Sequence, residues 1–288
     1  MHDSRTDSRT IDRELEERYP LTADDCRRFR EDGFIRLPDV LSPATLAHFD
    51  GVITGLTMAR NPLAGVPLDR RDTYGKAFIQ VFNLWREDPE ARRLCCSRRL
   101  ARIATELLGT RGVRMWHDQA LFKEPGGGFT PWHADQQYWP MASSLCVTAW
   151  IPLHAVPLDQ GPLAFARGSH LRRIGRDLEI SDDSERLIRA AIAAEGIVEV
   201  TEPYAAGDVS FHLGWTLHRA GPNVTTVPRR VQTVIYMDAD MRLTEPRNAN
   251  QRADHVAWTP STLVGDVMDD PLNPLLHDEE SVPGATGR

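Results

Sequence analysis

At Gly109 the pattern of the chain changes. Before it, apolar residues recur at helical spacing. After it come short β-forming runs broken by Gly and Pro: VRMWHDQALF, LCVTAWIPL, PLAFA, IVEV, DVSFHL and RRVQTVIYM. Many short strands with turn signals between them fit a sandwich or barrel rather than alternating strand–helix units. The expected fold is mainly β with flanking helices around a double-stranded β-helix, the cupin-like jelly roll.

The first part of the chain carries helix starts. Thr22 reads as an N-cap, and DGFIRLPDVLS follows as a turn and a short strand. Ser42-Pro43 places a cap before a proline at the first helical position, and Leu46, Phe49, Ile53 and Leu56 then mark one apolar face. Asp88-Pro89 and Ser97 repeat the signal, the last helix ending at Gly109. A charged arm over 1–18 reads as mobile. Residues 19–288 read as a single domain, helical to about 109, jelly roll over about 110–240, with a C-terminal wrap. An insertion over 181–195 has helical composition.

At 288 residues the chain is long for one domain but within range for a β-rich fold with added helices. A net charge of -7 and the lack of a basic block disfavour nucleic acid as a partner. No apolar run approaches a membrane span. The N-terminus lacks an apolar signal core, so a cytoplasmic protein without membrane partners is expected. Cys26, Cys95, Cys96 and Cys146 show no CxxC spacing and read as free thiols.

The chemistry centres on EPGGGFTPWHADQQYWP. In an extended segment His133 and Asp135 point to one face, bringing an imidazole and a carboxylate together. Alone, such a triplet more often marks a surface pair. His218, in GWTLHRAGPN, supplies a third ligand from a distant strand. Two histidines and one carboxylate leave open positions and suit non-haem Fe(II), while zinc on the same set would suit hydrolysis. His212 competes for the third position or lines the site. Arg229 follows in VPRRVQTVIYM. A hairpin joining it to His218 would set it one strand from the metal, where a guanidinium grips the distal carboxylate of a 2-oxo acid. Arg230 alternates to the opposite face. The three glycines 126–128 read as a mobile edge of the site.

Together WHAD, LHRAGPN and Arg229 resemble the phytanoyl-CoA dioxygenase family of Fe(II)/2-oxoglutarate oxygenases. The stretch QGPLAFARGSH is also similar to that family, with Arg167 where it has proline. The likeness runs over about 25–276. It implies Fe(II) held by His133, Asp135 and His218, with 2-oxoglutarate and O2 as cosubstrates. It also implies cosubstrate contacts from Arg229, Gln119, Lys123 and Trp150. Ala220 stands where the family often has a serine that bonds the cosubstrate. Asn83, Gln137, Trp139 and Trp215 are candidates for the substrate side.

The carboxylate at Asp135 occupies the position that related halogenases leave open for chloride. Hydroxylation or another C–H oxidation of a small organic molecule or secondary metabolite is therefore expected. An acyl-CoA substrate would need a basic landing site, for which Arg172, Arg173 and Arg176 are available, although they also fit a solvated face. A non-catalytic or hydrolytic metal-binding jelly roll is the other alternative, and neither needs Arg229.

Overall fold

The computed structural model describes residues 8–279. Its N-terminal part contains α1 (Ser8–Glu16), α2 (Ala23–Asp32), β1 (Phe34–Leu37), α3 (Pro43–Ala59), α4 (Thr73–Ala77), β2 (Ile79–Phe82), α5 (Pro89–Cys95) and α6 (Arg98–Leu108). The core follows as β3 (Gly112–Phe122), β4 (Thr130–His133), β5 (Cys146–Pro152), β6 (Leu163–Ala166), α7 (Asp182–Ala194), β7 (Glu199–Thr201), β8 (Val209–Leu213), β9 (His218–Ala220) and β10 (Val231–Asp238). The last elements are α8 (Ala249–Trp258) and β11 (Leu275–Asp278).

Local chemistry sets the helix starts. Thr22, Ser42, Asp88 and Ser97 each accept a first-turn backbone N–H, and prolines follow Ser42 and Asp88. Gly109 ends α6 in the left-handed region at φ 67°.

Two antiparallel sheets face each other in the jelly-roll manner. The larger runs β1-β8-β5-β10-β3-β11, with β2 also on β3; the smaller runs β4-β9-β6-β7. Alternation along β5 and β10 divides the large sheet's faces. Ala149, Ile151, Val234 and Tyr236 join Phe49, Ile53, Leu94, Leu100 and Leu107 of the helices in one apolar core. Thr148, Trp150 and Thr233 therefore point the other way, into the lumen. All seven residues of β5 are buried, since helices cover one face and the second sheet the other.

Several expectations need correction. Within the expected mobile arm, Ser8–Glu16 is a docked helix, with Ile11 and Leu15 buried in the main core and Ser97 Oγ donating to Leu15 O. Arm residues 1–7 and tail residues 280–288 lie outside the described residues. β1 is the short strand expected in DGFIRLPDVLS, whereas β2 was not expected; the two extend the large sheet through β8 and β3. The 181–195 insertion forms α7, whose Ser184 Oγ donates to Trp132 O while Glu185 accepts from Trp132 N.

The glycine loop is tied at every residue. Gly126 N donates to Asn223 O, Gly127 N to Glu124 O and Gly128 N to Lys76 O. A Cβ on Gly127 would lie 2.8 Å from Glu124 O, so close packing accounts for that glycine.

Candidate active site

The small sheet makes the first half of the site. On the paired strands β4 and β9, His133 and His218 are direct cross-strand partners, their rings 4.1 Å apart. Each ring is fixed by its own chain: His133 Nδ1 donates to Pro131 O at 2.8 Å, and His218 Nδ1 to Thr216 O at 3.0 Å. Protonation at Nδ1 leaves both Nε2 lone pairs facing inward, as metal-binding imidazoles require.

Asp135 joins the two sheets. Ala134 is extended, so the carboxylate returns to the histidine side before a 3-10 turn begins. Asp135 Oδ1 lies 3.6 Å from both Nε2 atoms. Its Oδ2 accepts from Thr148 Oγ1 at 2.9 Å and from His212 Nε2 at 3.2 Å. Thr148 and His212 are themselves cross-strand partners, on β5 and β8 of the large sheet. One oxygen is thus spent on orientation and the other is free to ligate. Burial would raise this carboxyl, but His218, His133 and His212 outweigh it and hold Asp135 well below the ordinary range.

One ligand atom from each of His133, Asp135 and His218 falls within 4.8 Å of the others. The donor set fits Fe(II): two imidazoles with Nε2 turned inward and one oriented carboxylate are the groups that would hold the ion. His212 is not part of that set, because its Nε2 is engaged with the carboxylate.

These residues open onto a cavity of about 270 Å³. Gln119, Thr233 and Trp150 form one cross-strand row on its large-sheet wall. Arg229 lies beyond them on the same face, only 1% exposed, its guanidinium over the Trp150 ring at 5.4 Å. Arg229 Nη1 donates to Gly161 O, and Nε has no partner among the described residues. Burial draws this guanidinium down from 12.5 to about 10. Arg230 points outward and makes a two-pronged pair with Asp50 on α3 at 2.6 and 2.9 Å.

The hairpin expected between His218 and Arg229 is not formed within one sheet. β9 belongs to the small sheet and β10 to the large one. Arg229 bridges Lys123 instead, each N–H donating to the other's carbonyl at 2.9 Å. It reaches the metal residues across the lumen.

Of the other expected positions, Gln119, Trp150 and Trp139 line this cavity. Lys123 does not. Its fully buried Nζ donates to Gly128 O, and burial with nearby Arg229 lowers it to about 6. Nor does Asn83, which takes a left-handed backbone at φ 53° and accepts from Trp85 Nε1. Gln137 and Trp215 line a separate groove that also contains Arg173, Arg176 and Arg247. The 3-10 turn Asp135–Tyr138 causes this split, since Gln137 turns away while Tyr138 and Trp139 face the cavity.

Sequence reasoning missed Thr148 and the whole contribution of α8. Thr148 stands two residues before Trp150, so strand alternation already placed it on the lumen face. Asn250, Asp254 and Trp258 of α8 recur every fourth residue and all line the cavity. That stripe was the available signal.

The model of the phytanoyl-CoA dioxygenase (PhyH) family matches residues 29–231. Ectoine dioxygenase of Stutzerimonas stutzeri (strain A1501) is 26% identical over 251 residues, spanning 80% of this chain and 81% of that protein. Among solved structures, the non-heme alpha ketoglutarate dependent carbocyclase SnoK from nogalamycin biosynthesis has a TM-score of 0.73 at 27% identity, covering 90% of this chain and 97% of that one. The epimerase SnoN, in complex with Fe3+, alpha ketoglutarate and nogalamycin RO, has a TM-score of 0.71 at 27% identity, covering 88% and 98%.

Proposed function

We propose, from the premise that this chain belongs to the phytanoyl-CoA dioxygenase family, that His133, Asp135 and His218 hold Fe(II) and that Arg229 anchors the distal carboxylate of 2-oxoglutarate. The chain is an Fe(II)- and 2-oxoglutarate-dependent dioxygenase that oxidises a small organic molecule. The observation that carries the residue assignment is Arg229, a buried guanidinium with an unpartnered Nε, lining the same cavity as the metal trio. A hydrolytic metal site has no use for such a cation.

When bound, Fe(II) with 2-oxoglutarate and O2 supplies the oxidising power that side chains lack. The chain's own residues do the positioning. Pro131 O and Thr216 O hold the imidazoles in one tautomer, and Thr148 with His212 keeps Asp135 turned inward. Arg229, Trp150, Thr233 and Gln119 form the cosubstrate wall, with Lys123 supporting Arg229 from behind through the β-bridge. Ala220 gives that end an apolar surface where a serine would have offered a hydrogen bond. Trp139 and the α8 stripe face the substrate from the other end.

The finer reading is C–H oxidation without halogen transfer, because Asp135 fills the position a halide would need. Carbocyclase and epimerase chemistry in similar proteins leaves ring closure and epimerisation as outcomes beside hydroxylation. The acyl-CoA reading is disfavoured by Arg172, Arg173 and Arg176. None of them lines the metal cavity, and Arg176 lies over Trp215 at 4.5 Å.

Anaerobic purification with metal analysis, then succinate release on adding O2 and 2-oxoglutarate, tests the function. One tightly held iron per chain and iron-dependent succinate are expected; zinc with no succinate would overturn the reading. Once a substrate is found, turnover in excess chloride should give no chlorinated product, and a C–Cl product would sink the finer assignment.

A further inference from the structure

The cavity is electrically divided. Among the described residues lining it, the formal charges are Asp135, Glu179, Asp254, Arg219 and Arg229. Asp135 is committed to the metal side. Arg229 faces the cosubstrate wall, and Arg219 lies 3.5 Å from Glu185. Glu179 is exposed and also lines the neighbouring groove, so the charge left to this cavity alone is the carboxyl of Asp254. The basic residues Arg173, Arg176 and Arg247 all fall in the neighbouring groove.

Asp254 is placed for recognition. It sits mid-stripe on α8 between Asn250 and Trp258, four residues from each. Burial raises the phenols of Tyr74 and Tyr138, which line the same cavity, and the Asp254 carboxyl adds a smaller push in the same direction. The Trp258 ring lies tilted against Phe82 at 4.9 Å and against His117 at 5.2 Å. Two further polar atoms await partners in this chamber: Nδ1 of His117, a residue only 4% exposed, and Nδ2 of Asn250. Burial keeps His117 neutral, lowering it to about 3, so it adds no positive charge.

Aromatic faces around a carboxylate attract an ammonium twice over, through the ring quadrupoles and through a charge-assisted hydrogen bond. A half-buried carboxylate without a cation is costly. In keeping with that cost, burial raises Asp254 from 3.8 to about 7. An ammonium docked against it removes the penalty, so substrate charge and pocket charge reinforce each other.

We infer that the primary substrate carries a basic nitrogen on an apolar ring framework, and that Asp254 is the specificity-determining residue that receives the ammonium. The inference rests on the oxygenase reading for its account of which end of the cavity is free. His117 Nδ1 and Asn250 Nδ2 then serve polar groups on the same ring system.

The test uses the full chain loaded with Fe(II) and 2-oxoglutarate and kept anaerobic. Three matched probes, 2-naphthylmethylamine, 2-naphthylmethanol and 2-naphthoate, are titrated at about pH 8 by quenching of tryptophan fluorescence. The amine should bind roughly 10- to 100-fold more tightly than the alcohol, the range a charged hydrogen bond gives. The carboxylate should bind weakest. Asp254→Asn should remove the amine's advantage and leave the alcohol within about threefold, the spread expected of a context effect without a lost charge pair. Glu179→Gln should keep most of the advantage. Equal binding of amine and alcohol, or preference for naphthoate, overturns the inference. So does an advantage that survives Asp254→Asn or vanishes only in Glu179→Gln. If Asp254→Asn does not fold, the three probes on wild type still decide. The 2-oxoglutarate absorption band, read in the same samples, separates the two levels. No band means that the oxygenase reading fails; a band without amine preference means that this inference alone fails.

Discussion

Replacing Arg229 with methionine removes a charge that the fold buries with no carboxylate paired to it among the described residues. Wild-type Arg229 is 1% exposed, donates to one carbonyl and leaves Nε unpartnered. Burial draws it from 12.5 to about 10. At ~1.4 kcal/mol per tenfold this corresponds to about 3 kcal/mol held against the charged form until an anion arrives. If the distal carboxylate of 2-oxoglutarate offsets that penalty, its loss weakens cosubstrate binding by on the order of 100-fold. Independent experience with truncating one partner of a buried charge pair, ~2–5 kcal/mol, brackets the same figure. Anaerobic titration of the Fe(II) protein, following the 2-oxoglutarate absorption band, measures it. Iron content should be unchanged in Arg229→Met, because no ligand is altered. The apo variant should also unfold at the same urea concentration as wild type or a higher one, since a buried charge has been exchanged for an apolar chain. Arg230→Ala is the control: it breaks the Asp50 pair on the outer face and should leave 2-oxoglutarate affinity intact. Cosubstrate affinity within about threefold of wild type in Arg229→Met, well short of the ~2 kcal/mol minimum for such a pair, would refute the assignment.

Three further outcomes follow from the geometry. His218→Ala should lose iron, whereas His212→Ala should keep one iron per chain with affinity down about 10- to 100-fold, as for other groups that orient a ligand; metal analysis showing the reverse would exchange their roles. Ile11→Ala should cost about 2–4 kcal/mol in urea unfolding because α1 is docked; a change below ~0.5 kcal/mol, the level of ordinary surface substitutions, would restore a mobile arm. Asp118, fully buried, is raised from 3.8 to about 6, so its stabilising contribution is complete below its unfolded value and lost as pH rises through about 6. Between pH ~4 and ~7 the apo wild type should therefore lose up to about 3 kcal/mol relative to Asp118→Asn, and parallel stability curves for the two would contradict this.

What the sequence made legible was the chemistry that local rules dictate. Caps at Thr22, Ser42, Asp88 and Ser97 act within one helical turn, and strand alternation decided both the shared face of His133 and Asp135 and the opposite faces of Arg229 and Arg230. What escaped depends on register between distant strands. Thr148 and His212 meet Asp135 only because β5 and β8 pair with those two residues opposite, and no spacing in the chain encodes that. Arg229 was placed on the correct face by the wrong route, because a short connection was read as one hairpin although its strands lie in different sheets. Residue type and, for Gln137 and Trp215, nearness to the ligands in sequence do not report where a side chain turns, and Asn83, Gln137 and Trp215 all lie off the metal cavity. The 3-10 turn after Asp135 sends adjacent residues to different cavities. The α8 stripe shows the same limit from the other side. Its period of four was visible in NANQRADHVAW, yet a polar-aromatic stripe on a helix reads equally as a solvent face until packing seats it. In the proposed assignment the metal ligands and the cosubstrate anchor serve chemistry common to the family, so motif and spacing reveal them. In the same reading the substrate wall answers to one molecule, and its residues carry meaning only once the fold has brought α8 over the cavity.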